Sequence, residues 1–76
     1  MKKTRETTEK LALLGARIRK LRLEKELSQE AMGTHCDLDQ GYISGIETGQ
    51  RNVSFENIVK IADALDVTLS ELMKGI

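Results

Sequence analysis

The chain has 76 residues, with 12 basic and 12 acidic side chains, 39% hydrophobic residues, one cysteine and no proline. A chain this short forms one small domain and buries only about 60% of the surface that its unfolded form exposes. It has no apolar run of membrane-spanning length, no apolar segment after its basic start Met1-Lys2-Lys3, and no second cysteine to pair with Cys36, so the expected setting is a reducing cytoplasm.

Beyond Met1, residues 1–8 lack apolar side chains and read as a flexible arm ahead of a single domain over residues 9–76. Leu11, Leu14, Ile18 and Leu21 follow helical spacing and predict a first helix over about residues 10–25. Ser28 is placed to cap a second helix with Met32, Gly33 and Cys36 facing inward. Asp37-Leu38-Asp39 reads as a tight turn, after which Asp39 caps a short third helix with Ile43 and Ile46 buried and Gly49 at its end. Gln50-Arg51-Asn52 forms a polar loop. Ser54 then opens a fourth helix with Phe55, Ile58, Ile61, Ala62 and Leu65 on one face. Thr68-Leu69-Ser70-Glu71 matches a capping box and opens the last helix. No segment alternates with period two, so the fold class is all-α with five short helices.

The zero net charge is unevenly distributed. Residues 1–25 carry nine basic and three acidic side chains, whereas residues 26–50 carry five acidic and no basic ones. A basic first third can lie beside a polyanion, although such a run is also what a solvated helix face looks like.

Enzymatic and metal-binding constellations are weak. His35 and Cys36 are adjacent, so a helix points them about 100° apart, unsuited to one metal or a nucleophile–base pair. Asp37-x-Asp39-x-Gly41 has its glycine at the wrong offset for a calcium loop, and the twelfth position is Thr48 instead of Glu. Neither a cofactor, a metal nor a small-molecule ligand is expected, and the chain reads as a non-enzyme. Gly41, Gly45 and Gly49 fall on one helical stripe, a bare face that suits either another helix or a ligand. The capped helix, three-residue turn and second short helix over about residues 28–48 have helix-turn-helix spacing, in which the second helix enters the major groove of DNA.

Leu27-Ser28-Gln29-Glu30, Tyr42-Ile43-Ser44-Gly45-Ile46-Glu47-x-Gly49-x-Arg51-Asn52 and Ile61-Ala62-x-Ala64-Leu65 resemble the Cro/phage-repressor (XRE) family, without gaps over about residues 11–73. Within that family the pattern most resembles the controller proteins of restriction–modification systems. The resemblance implies a lambda-repressor-like domain and a sequence-specific regulator that binds a pseudo-palindromic double-stranded operator as a homodimer, a controller acting on its own promoter. An antitoxin of the same fold, sequestering a protein partner, is the alternative.

Carried over by position, Ser28 and Gln29 meet the DNA backbone, Gln40 reads a base, and Tyr42, Ser44 and Thr48 share the reading face. Gly41 and Gly45 occupy usual contact positions without offering a side chain, so the third helix is expected to sit deep in the groove. Arg51 and Asn52 match the backbone-contacting loop, and Arg22 with Glu47 matches a structural ion pair. Asp37 and Asp66 stand where the family often has a left-handed glycine. Val67, Leu69, Met73 and Ile76, apolar and near the end of the chain, are the expected dimer interface.

Overall fold

A computed structural model describes residues 4–76. Five helices follow in chain order: α1 (Arg5–Glu24), α2 (Gln29–Cys36), α3 (Gln40–Glu47), α4 (Phe55–Ala64) and α5 (Leu69–Leu72). Among the described residues there is no strand. Each helix is opened by a side-chain cap. Thr4, Ser28, Ser54 and Thr68 accept from the backbone N–H three residues on, and Asp39 accepts from that of Gly41. Caps of this kind contribute about 1 kcal/mol each.

The Thr4 cap corrects the expected arm. α1 begins at Arg5, so residues 5–8 are its first turns, supported by an exposed Arg5–Glu9 ion pair of 3.2 Å. The absence of apolar residues there reflects helix that projects beyond the core, which needs no buried face. Residues 1–3 of that arm lie outside the described residues.

The C-terminal ends of α1, α2 and α4 share a device. Glu26, Asp37 and Asp66 take positive φ of 56°, 58° and 56°. In each case the next N–H, that of Leu27, Leu38 or Val67, reaches back to the carbonyl of Arg22, Gly33 or Ala62. The aliphatic side chain after the acid then tucks half-buried against the protein, as a Schellman ending requires. The expected left-handed Asp37 and Asp66 are confirmed, and Glu26 is a third.

α1 packs on α3 and α5, α2 packs on α3 and α4, and α4 packs on α5. Ile18, Met32, Ile43, Ile46, Ile61, Leu65 and Leu72 are fully buried where these faces meet. Arg17 ties α5 down by donating from Nε and an outer nitrogen to the Glu71 carbonyl, at 3.2 and 2.8 Å. The close approach of α1 to α3 depends on Gly15, where an added Cβ would collide with the carbonyls of Ile46 and Glu47. One predicted core residue is misplaced: Phe55 is 68% exposed. It shares the helical face of Ile58 but is the first residue of α4, one turn past the packed part of that face.

Candidate nucleic-acid interface

α2 and α3 are held as one unit by a buried polar hub. Glu47, on the last turn of α3, accepts from Arg22 Nε at 2.6 Å and from its outer nitrogen at 3.0 Å, and from Gln29 Nε2 at 3.1 Å. The remaining Arg22 nitrogen donates to the Leu27 carbonyl at 2.7 Å. The hub therefore ties α1, the loop before α2, the start of α2 and the end of α3 to one carboxylate. The hydrogen bonds to Glu47 hold the Arg22 guanidinium above its ordinary pKa, against the opposite pull of burial and with help from the Glu47 charge. A planar guanidinium suits this role because its fork engages both carboxylate oxygens together. Arg22–Glu47 is thus the structural pair anticipated from sequence.

The outer surface of this unit carries the expected contact residues. Gln40, Gly41 and Thr48 are exposed along α3, Ser44 is half-buried, and Arg51 and Asn52 are exposed on the following loop. Ser28 is exposed at the start of α2, its Oγ accepting from the Ala31 N–H at 2.9 Å. Thr48 Oγ1 donates back to the carbonyls of Ser44 and Gly45, both at 3.2 Å. That leaves its oxygen to accept rather than donate outward. Tyr42 is half-buried, and its hydroxyl donates to the Asn52 carbonyl at 3.3 Å while accepting from Asn57 Nδ2 at 3.1 Å.

A helix-turn-helix model matches residues 18–72, which spans α2 and α3 together with the helices that brace them. The chain is 51% identical over 63 residues to the control protein C.MunI of a Mycoplasma species, covering 82% of this chain and 85% of that protein. It is 48% identical over 62 residues to the control protein C.BamHI of Bacillus amyloliquefaciens, covering 80% and 76%. This chain belongs to the helix-turn-helix family of DNA-binding regulators. Its fold is also that of the crystal structure of the restriction–modification controller protein C.AhdI from Aeromonas hydrophila, with a TM-score of 0.80, 50% identity, and coverage of 82% of this chain and 94% of that one. The XRE resemblance read from sequence, and the likeness to controller proteins within it, are therefore borne out.

Within this helix-turn-helix domain two groups depart from the sequence expectation. The glycine stripe on α3 is not uniformly bare: Gly41 is exposed, but the space beside Gly45 is filled by the Arg51 side chain of the same molecule. The four expected interface residues also divide between two places. Val67 and Leu69 line a groove with Val59 and Ala62, whereas Met73 and Ile76 line another with Leu11 and Leu14 of α1. Lys10 Nζ donates to the Ile76 carbonyl, tying that end of the chain to α1. The periodicity of four nearby apolar residues could not reveal this division, because α5 is only four residues long and the chain turns after it.

Two participants were not singled out from the sequence: Asn57, which joins α4 to Tyr42, and Arg17, which anchors α5. Phe55, expected in the core, is exposed and extends the apolar surface beside Val59. Phe55 and Val59 are four residues apart and thus on one helical face, a signal available in the sequence but masked by Ile58. Cys36 is buried, as expected, and His35 is exposed. Burial raises the Cys36 thiol above its ordinary pKa.

Proposed function

We propose that this chain is a dimeric, sequence-specific transcriptional regulator of the restriction–modification controller kind, acting in the cytoplasm on its own promoter. The observation that carries this reading is the Arg22–Glu47–Gln29 hub, which locks α2 and α3 together and leaves Gln40, Thr48, Arg51 and Asn52 facing outward. Contacts to phosphate set the register of such a domain, and contacts to base edges supply the sequence preference. Ser28, Arg51 and Asn52 take the first role. Gln40 takes the second, since its amide can pair with adenine in the major groove, with Tyr42 and Ser44 beside it. Gln29 divides its amide between Glu47 and the DNA backbone, one N–H going to the hub and the other remaining for phosphate.

The outer face of α4 and α5, where Phe55 is 68%, Val59 42% and Leu69 37% exposed, supports pairing of two copies. Val67 completes this apolar surface. A two-fold pair would present its α3 helices to successive major grooves, about 34 Å apart. Met73 and Ile76, which line the groove against α1, act instead in holding the chain end.

The test is binding to the DNA upstream of the chain's own gene, titrated with salt and compared with a scrambled duplex. Gln40→Ala should lower the preference at one base step by about 1–3 kcal/mol, and Arg51→Ala should weaken binding on all sequences more evenly. Equal affinity of the unaltered chain for both duplexes would overturn the reading. A stable one-to-one complex with a different protein, in place of the homodimer, would favour the antitoxin alternative.

A further inference from the structure

We propose that Gly45 and Asn57 are positioning residues that set how Arg51 meets DNA, an inference that rests on the DNA-binding reading above. Arg51 is anchored to α3 at both its backbone and its side chain. The Gly45 carbonyl accepts from the N–H of Gln50 at 2.9 Å and from that of Arg51 at 3.2 Å. The Arg51 stem then lies across Gly45 so closely that a Cβ there would stand 2.5 Å from Arg51 Cγ and 3.5 Å from its Cβ and Nε. The colliding atom is near the root of the side chain, so swinging the tip does not relieve the clash. The seat of this arginine exists because residue 45 has no side chain.

Farther out, the guanidinium carbon lies 6.0 Å from the centre of the Tyr42 ring, over its face, where the ring's negative quadrupole attracts it. The ring is itself held from α4 and from the loop, by the Asn57 amide and the Asn52 carbonyl. α4, Tyr42, the Arg51 side chain and Gly45 thus form one continuous support, while Arg51 remains exposed to a ligand. A long, flexible side chain that is already placed loses less conformational freedom on binding. The bare Gly45 therefore serves to seat an arginine of the same chain rather than to admit DNA.

The test uses the full chain and 20-bp duplexes enriched by the unaltered protein from a randomised pool, with a scrambled duplex as control. Gly45→Ala should weaken binding to the enriched duplex by about 2–10-fold, the equivalent of ordering one long side chain anew. Its thermal midpoint should not fall, since alanine favours a helix centre over glycine. In an Arg51→Ala background the same substitution should cost nothing further. Asn57→Ala supplies the second arm, with a loss in the presence of Arg51 that shrinks in its absence. Losses that add independently of Arg51, or a Gly45→Ala chain with unchanged affinity, would overturn this inference and leave the DNA-binding reading intact. Failure of the unaltered chain to enrich any duplex would overturn both.

Discussion

The recognition side of the molecule and the outer face of α4 and α5 are built on opposite terms. Around α3, side chains are fixed by directed polar contacts: Arg22 and Gln29 on Glu47, Asn57 on Tyr42, Tyr42 on the loop. Among the described residues, no buried side-chain nitrogen or oxygen lacks a partner. On the outer face of α4 and α5, Phe55, Val59 and Leu69 stand exposed without such contacts. Hydrogen bonds are directional and specify orientation, whereas apolar burial scales with area and tolerates adjustment. A surface that must match the fixed spacing of a double helix gains from the first. A surface that has only to cover another protein face can use the second.

The contrast can be tested from both sides. Glu47→Ala should have the largest effect, because it strands Arg22 as an uncompensated buried charge at a cost of about 3–5 kcal/mol. In a domain of this size that removes most of the folding free energy, and circular dichroism at 37 °C should show a largely unfolded chain. Gly15→Ala strikes the same side through packing. It should cost about 1–3 kcal/mol by pushing α1 away from the end of α3, read as a lower urea midpoint with unchanged slope.

Val59→Asp addresses the other face. The stability of its monomer should stay within about 0.5 kcal/mol of that of the unaltered monomer, since the site is exposed there, while sedimentation should shift from dimer to monomer. A dimer that persists would remove that face from the interface. The smallest effect concerns neither surface. The Cys36 thiol, raised by burial and donating to the Lys60 carbonyl at 3.8 Å, keeps its proton in the folded state when the unfolded chain has lost it. Stability should therefore be complete below the ordinary thiol pKa and fall as pH rises past about 8.5, by at most roughly 1.4 kcal/mol per pH unit. In Cys36→Ala that part of the alkaline slope should be absent from denaturation curves measured between pH 7 and about 10.

Much of the frame was legible because it is written in local chemistry. Ser28, Asp39, Ser54 and Thr68 open helices where their hydroxyls or carboxylates can reach nearby backbone N–H groups, and those contacts need no tertiary structure. Thr4 has the same chemistry, but no apolar residue follows soon enough to flag the helix it opens. The proposed DNA contacts on α3 and the loop after it were named through family resemblance, and Gln40, Thr48, Arg51 and Asn52 are exposed. What was hidden is contact between segments. Gln29 reads as a phosphate ligand in sequence, yet its amide also closes the hub 18 residues away. Phe55 reads as core by period, yet its helix begins beyond the core.

Sequence alone thus determined an all-α chain of five helices with the caps of the last four, the turn between α2 and α3, and, through resemblance, the Arg22–Glu47 pairing, because periodicity, caps and a recognisable motif act over short distances or recur within a family. Only the tertiary structure decided which apolar residues remain uncovered and that this ion pair is buried. One basic residue of the first third, Arg22, is buried against an acid of the second, so the two halves of the zero net charge meet inside the molecule. Whether a side chain is buried, free or spoken for depends on what other segments bring to it, and that is settled only when the helices pack.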